Sequence, residues 1–65
     1  MIEVNGQARE VTLGATVESL LRDLDLDGRT VVVELNRQIV RRNEIADTRL
    51  EAGDRVELVQ FVGGG

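Results

Sequence analysis

The chemistry open to this chain is set first by the side chains it lacks. Cysteine, histidine, lysine, tryptophan, tyrosine and proline are absent from its 65 residues. No thiol or imidazole is on hand as nucleophile, base or metal ligand, and disulfides are excluded. The side-chain hydroxyls belong to Ser19, Thr12, Thr16, Thr30 and Thr48, with no base poised to activate one. Asp23, Asp25 and Asp27 alternate in a short acidic run. A calcium loop takes a longer ligand array, so a solvated helix end is expected there. Arg41-Arg42 is a small basic spot, expected to be a solvated strand end. A catalytic site of the chain's own, or a bound cofactor or metal, is not expected.

What remains is the main-chain carboxylate of Gly65, at the end of Gly63-Gly64-Gly65. A frayed end or a cloning remnant also leaves terminal glycines. Three features point elsewhere. The glycines follow the last apolar run without a polar spacer, they contain none of the serine or histidine of common tags, and they close the sequence. Glycine passes through narrow channels and adopts any φ. Three extended residues reach about 10 Å beyond a folded body. Such a tail can present its carboxylate to ATP inside another enzyme while the body docks outside.

The elements that must hold this tail are legible by period. Ile2-Glu3-Val4 alternates, and Asn5-Gly6 is the favoured pair for a type I′ turn. Ala8 through Leu13 then reads as the returning strand, with Val11 and Leu13 on one face. Thr16 is a candidate N-cap, and Glu18 favours the helix dipole. Val17, Leu20, Leu21 and Leu24 form one apolar stripe, ended by Asp25, Asp27 and Gly28. Val31 to Leu35 is a β-branched strand, Asn36-Arg37 a turn and Ile39-Val40 a brief strand. A loop follows, with one helical turn expected at Glu44-Ile45-Ala46 and Leu50 as its anchor. Gly53-Asp54 turns the chain into a last strand, Arg55 to Val62.

This order predicts an α+β fold, a mixed sheet of about five strands with one main helix on one face. Residues 1–62 form the domain and 63–65 a flexible tail. Val56 and Leu58 are the expected core side of the last strand, because the opposite series carries Arg55 and Glu57. Val59 and Phe61 then share the open face beside the tail. With Val62 they are the candidate docking residues, Phe61 being the one aromatic side chain. The alternative is that Phe61 folds over a sheet edge as a structural residue.

Bulk properties narrow the partners. The balance of 42% hydrophobic and 31% charged residues is that of a globular domain. The net charge of -4 disfavours nucleic acid. It suits basic protein surfaces, although solubility alone accounts for it. No apolar run has membrane-spanning length and no signal peptide is visible, so no membrane association and a cytoplasmic location are expected.

End to end, the chain resembles the ThiS family, the sulfur carriers of thiamin thiazole synthesis. The matching features are Asn5-Gly6, the helix Thr16-Val17-Glu18-Ser19-Leu20-Leu21, Val33-Glu34-Leu35-Asn36 and Ile39-Val40. They continue with Leu50, Gly53-Asp54-Arg55-Val56-Glu57 and the terminal Gly64-Gly65. Two positions depart from the family pattern: Gly63 is a third glycine, and Arg41 stands where the family commonly places proline.

The resemblance implies a ubiquitin-like β-grasp whose first and last strands pair in parallel at the sheet centre. It implies that a ThiF-type, E1-like enzyme adenylates Gly65, using ATP and magnesium of its own. It further implies that a persulfide from a cysteine desulfurase or another donor converts the adenylate to a thiocarboxylate. A ThiG-type thiazole synthase then takes the sulfur. The free carrier is expected to be a monomer. Other readings are a MoaD-type molybdopterin synthase subunit, a carrier for another sulfur product, a ubiquitin-like protein modifier, and an interaction module with an inert tail.

Overall fold

The computed structural model describes residues 1–60, and its elements follow the expected order. Strands β1 (Ile2–Val4) and β2 (Gln7–Arg9) form a hairpin, followed by helix α1 (Val17–Asp23). Strands β3 (Val31–Leu35) and β4 (Gln38–Val40) form a second hairpin. A short 3₁₀ turn (Arg42–Glu44) then leads to β5 (Arg55–Gln60). The sheet order is β2-β1-β5-β3-β4, so the last strand lies at its centre. β5 runs parallel to β1 and antiparallel to β3. This is the α+β, β-grasp arrangement. The expectations for Phe61, Val62, the 1–62 domain boundary and the 63–65 tail lie outside the described residues.

The helix forms where the stripe predicted it. The Thr16 hydroxyl accepts from the Ser19 N–H at 3.1 Å, and the Ser19 hydroxyl accepts from the Thr16 N–H at 2.9 Å, a reciprocal cap. Two other first-turn amides are satisfied from the 45–50 segment. Val17 N–H donates to the Thr48 carbonyl and Glu18 N–H to the Ile45 carbonyl. At the other end Asp25 takes a left-handed φ of 59°. Leu26 N–H then closes on the Leu21 carbonyl and Asp25 N–H on the Arg22 carbonyl, the two bonds of a Schellman stop. Leu24 is therefore the cap residue and only half-buried.

Val17, Leu20 and Leu21 bury against Ile2, Val31, Val33 and Val56, and Leu50 closes the cluster from the connecting segment. Gly28 lies against this packing: a Cβ there would stand 2.9 Å from Ile45 Cδ1.

Two boundaries differ from expectation. β2 ends at Arg9 and does not run to Leu13. β1 has only three residues, and its register places Arg9 opposite Ile2, so only Met1 is left to face Glu10 and nothing faces Val11 onward. Val11 still packs on the core, while Leu13 is fully exposed. The helical turn lies at Arg42–Glu44, ahead of Glu44-Ile45-Ala46. There the Glu44 carboxylate accepts from the Arg41 N–H at 3.1 Å, and Glu44 N–H donates to the Arg41 carbonyl. Arg41 thus opens a turn, where a strand end was expected.

Candidate functional site

The site is built on β5, which carries the chain toward the glycines. Val56 is wholly buried under the helix and Leu58 partly so. Arg55, Glu57 and Val59 face the other way, with Val59 57% exposed. The division of faces expected from the sequence therefore holds through Gln60. Of the candidate residues, Val59 sits where it was placed. Phe61, Val62, Gly63, Gly64 and Gly65 fall outside the described residues.

The register shows what surrounds Val59. Val32 of β3 lies directly opposite it, and Glu34 lies opposite both Glu57 and Ile39. Paired residues share a face, so Val32, Ile39 and Val59 form one apolar group on the open side. Ile39 is 67% exposed and extends this surface to β4. Alternation alone carries the signal, since Val40 points to the core and Ile39 must point away. Glu34 and Glu57 are like charges directly across from each other, an arrangement that repels. Neither takes part in an ion pair among the described residues. At the far end of the face, Glu3 pairs with Arg55 at 3.3 Å.

Two turn asparagines hold β5. Asn36, at φ 50°, donates its N–H to the Arg55 carbonyl at 2.8 Å, and its Oδ1 accepts from the Arg55 N–H at 2.9 Å. Its Nδ2 donates to the Asp54 carboxylate at 3.0 Å, fixing the start of the strand. Asn5, at φ 49°, acts farther along. Its Oδ1 accepts from the Leu58 N–H at 2.8 Å, and its Nδ2 donates to the Leu58 carbonyl at 3.3 Å. Sequence reasoning read both residues as turn formers only. Their side-chain partners lie 19 and 53 residues away, and no local pattern marks them.

The acidic run is partly engaged. Arg29 donates to both Asp27 oxygens through Nε and Nη2, and its N–H donates to Asp27 Oδ1. These bonds hold the Asp27 carboxyl down to about 2. Asp25 supplies the left-handed stop of the helix. Both roles are structural.

Comparison with known proteins adds the family. Residues 2–65 match the model of the ThiS family. The chain is 42% identical over 62 residues to a thiazole synthase of Paramagnetospirillum magneticum, covering 95% of this chain and 19% of that protein. It spans about a fifth of the length of the thiazole synthases it matches. It is 32% identical over 66 residues to the sulfur carrier protein ThiS of Bacillus subtilis, covering 100% of both. The crystal structure of the thiamine biosynthesis protein ThiS from Geobacter metallireducens superposes with a TM-score of 0.83 at 34% identity, over 98% of this chain and 97% of that one. Fold, length of match and identity agree, and the chain belongs to the ThiS family.

Proposed function

We propose that this chain is a sulfur carrier of thiamin biosynthesis and that Gly65 is the residue that carries the sulfur. The observation that carries this reading is the family match over residues 2–65, which runs through the three glycines. An E1-like, ThiF-type enzyme joins the Gly65 carboxylate to the AMP moiety of ATP and releases pyrophosphate. ATP and magnesium are bound by that enzyme. A persulfide supplied by a cysteine desulfurase or an equivalent donor attacks the acyl carbon, and AMP leaves. Thiol cleavage of the resulting S–S bond frees the Gly65 thiocarboxylate.

A ThiG-type thiazole synthase is the proposed acceptor. The matched segment forms part of two longer chains named thiazole synthase, which supports that partnership. The carrier supplies no catalytic group of its own. Its body offers Val59 and the neighbouring Val32 and Ile39 as a docking face, together with Phe61 and Val62. The glycines contribute a backbone slim enough to enter an active site.

Mass spectrometry of the intact protein from sulfur-replete cells tests the reading. One oxygen replaced by sulfur, mapped to Gly65, is the expected result. An unmodified terminus, together with no pyrophosphate release by any E1-like enzyme of the source cell, rejects it.

A further inference from the structure

We infer that Asn5 is a positioning residue for sulfur transfer: its side-chain amide takes the place of strand β1 beside Leu58 and holds the course of β5 up to Gln60. This rests on the sulfur-carrier reading above. The parallel ladder ends with Val4 opposite Val56. Asn5 N–H still donates to the Val56 carbonyl at 2.9 Å, and the chain then turns away through Asn5 and Gly6, both at positive φ. From there β1 has no backbone to offer.

Alternate residues of a strand direct their N–H and C=O to the same neighbour. Leu58 therefore presents both groups to the side that β1 has just vacated. The Asn5 amide fills the position, with Oδ1 on the Leu58 N–H at 2.8 Å and Nδ2 on the Leu58 carbonyl at 3.3 Å. A primary amide offers a carbonyl acceptor and N–H donors in one plane, and so can meet both the N–H and the C=O of a strand residue. Aspartate lacks the donor and glycine lacks both. On the opposite edge β3 follows β5 as far as Val31 beside Gln60. Asn5 thus gives β5 a second supported edge up to Leu58, two positions before the last described residue. A tilt introduced at Leu58 passes to Val59 and Gln60, from which the chain goes on toward the glycines. Displacing a reacting group by about 1 Å costs on the order of a hundredfold in rate.

The test uses the full chain as the varied substrate of its ATP-dependent activating enzyme, with pyrophosphate release as the readout. Asn5→Gly keeps a residue that accepts positive φ and removes both side-chain bonds. With the docking face untouched, kcat is expected to fall roughly tenfold or more while KM stays within about twofold. The Leu58 amide is expected to exchange faster with solvent. If Asn5→Gly melts below the assay temperature, Asn5→Asp gives the same comparison. It keeps an acceptor for the Leu58 N–H but sets a carboxylate oxygen against the Leu58 carbonyl. An unchanged kcat, or a rise in KM alone, overturns the positioning role. A wild-type chain inert with the activating enzyme overturns the carrier reading as well, whereas active wild type with unaltered variants overturns only the role of Asn5.

Discussion

As the proposed carrier residue, Gly65 was suggested by composition, because cysteine, histidine and lysine are absent and a main-chain carboxylate is the group left to propose. The partners of Asn5 were not, because which backbone groups it meets depends on how β1 and β5 register across the whole chain. On the proposed function, removing Gly64 and Gly65 abolishes pyrophosphate release. The melting temperature should hardly move, since residues without side chains bury no apolar surface. Pyrophosphate release by the truncated protein would falsify the tail assignment. Asp27 supplies a separate check. Its carboxyl, lowered by the Arg29 side-chain bonds and then by the Arg29 backbone bond, titrates at about 2 when folded. An unfolded aspartate titrates near about 3.9. A lowered native value means that the Asp27–Arg29 contact stabilises the fold above about pH 4 and loses that contribution as pH falls toward 2. Both side chains are open to solvent, which keeps the effect small. Side-chain NMR titration should give a midpoint clearly below that of a model aspartate, and Arg29→Ala should move it part of the way back, because the residue-29 N–H still donates to the carboxylate.

At the scale of elements, α1 was readable because its stripe, its Thr16 cap and its stop are all local. Leu21 is 2% exposed at the centre of that stripe. Leu21→Ala is expected to cost roughly 2–5 kcal/mol. That is a large share of the about 3–10 kcal/mol that a domain of 65 residues commands. Urea unfolding should show the variant largely unfolded or at a sharply lower midpoint, and an unchanged midpoint would place Leu21 outside the core. Thr16→Ala should cost about 1 kcal/mol through the lost cap, read in the same experiment. The strands were readable in number but not in length. Ala8 to Leu13 alternates like a strand, yet β2 stops at Arg9 because β1 offers only three residues to pair with. Likewise the turn at Arg42–Glu44 is set by the Glu44 carboxylate reaching back to the Arg41 N–H, a bond that hydrophobic period does not reveal. Strand ends answer to their neighbours, and a neighbour far away in sequence, as β5 is from β1, is invisible to a window of residues.

For the whole molecule, the informative asymmetry is between the two faces of the sheet. One is covered by α1, and the other carries Val32, Ile39 and Val59 beside the paired acids Glu34 and Glu57. Scattered exposed apolar residues need no explanation. These three share one side of adjacent strands, and the end of β5 at Gln60 lies beside them. The two carboxylates repel across the strand pair, which a basic group on a docked protein would relieve. On the proposed docking, Val59→Ala and Phe61→Ala should each weaken binding to the activating enzyme and to thiazole synthase. A central apolar anchor contributes on the order of 2 kcal/mol, or roughly thirtyfold in affinity. Because Val59 is exposed in the free protein, its truncation should change stability by no more than about 0.5 kcal/mol. Glu57→Gln should act differently, slowing association at low salt and mattering less as salt rises. Binding by calorimetry and melting on the same samples separate the cases. Weaker binding with an unchanged melt supports docking through this face. Unchanged affinity in Val59→Ala, or a loss of stability large enough to account for the loss of binding, assigns Val59 to the fold and leaves the partners to dock elsewhere.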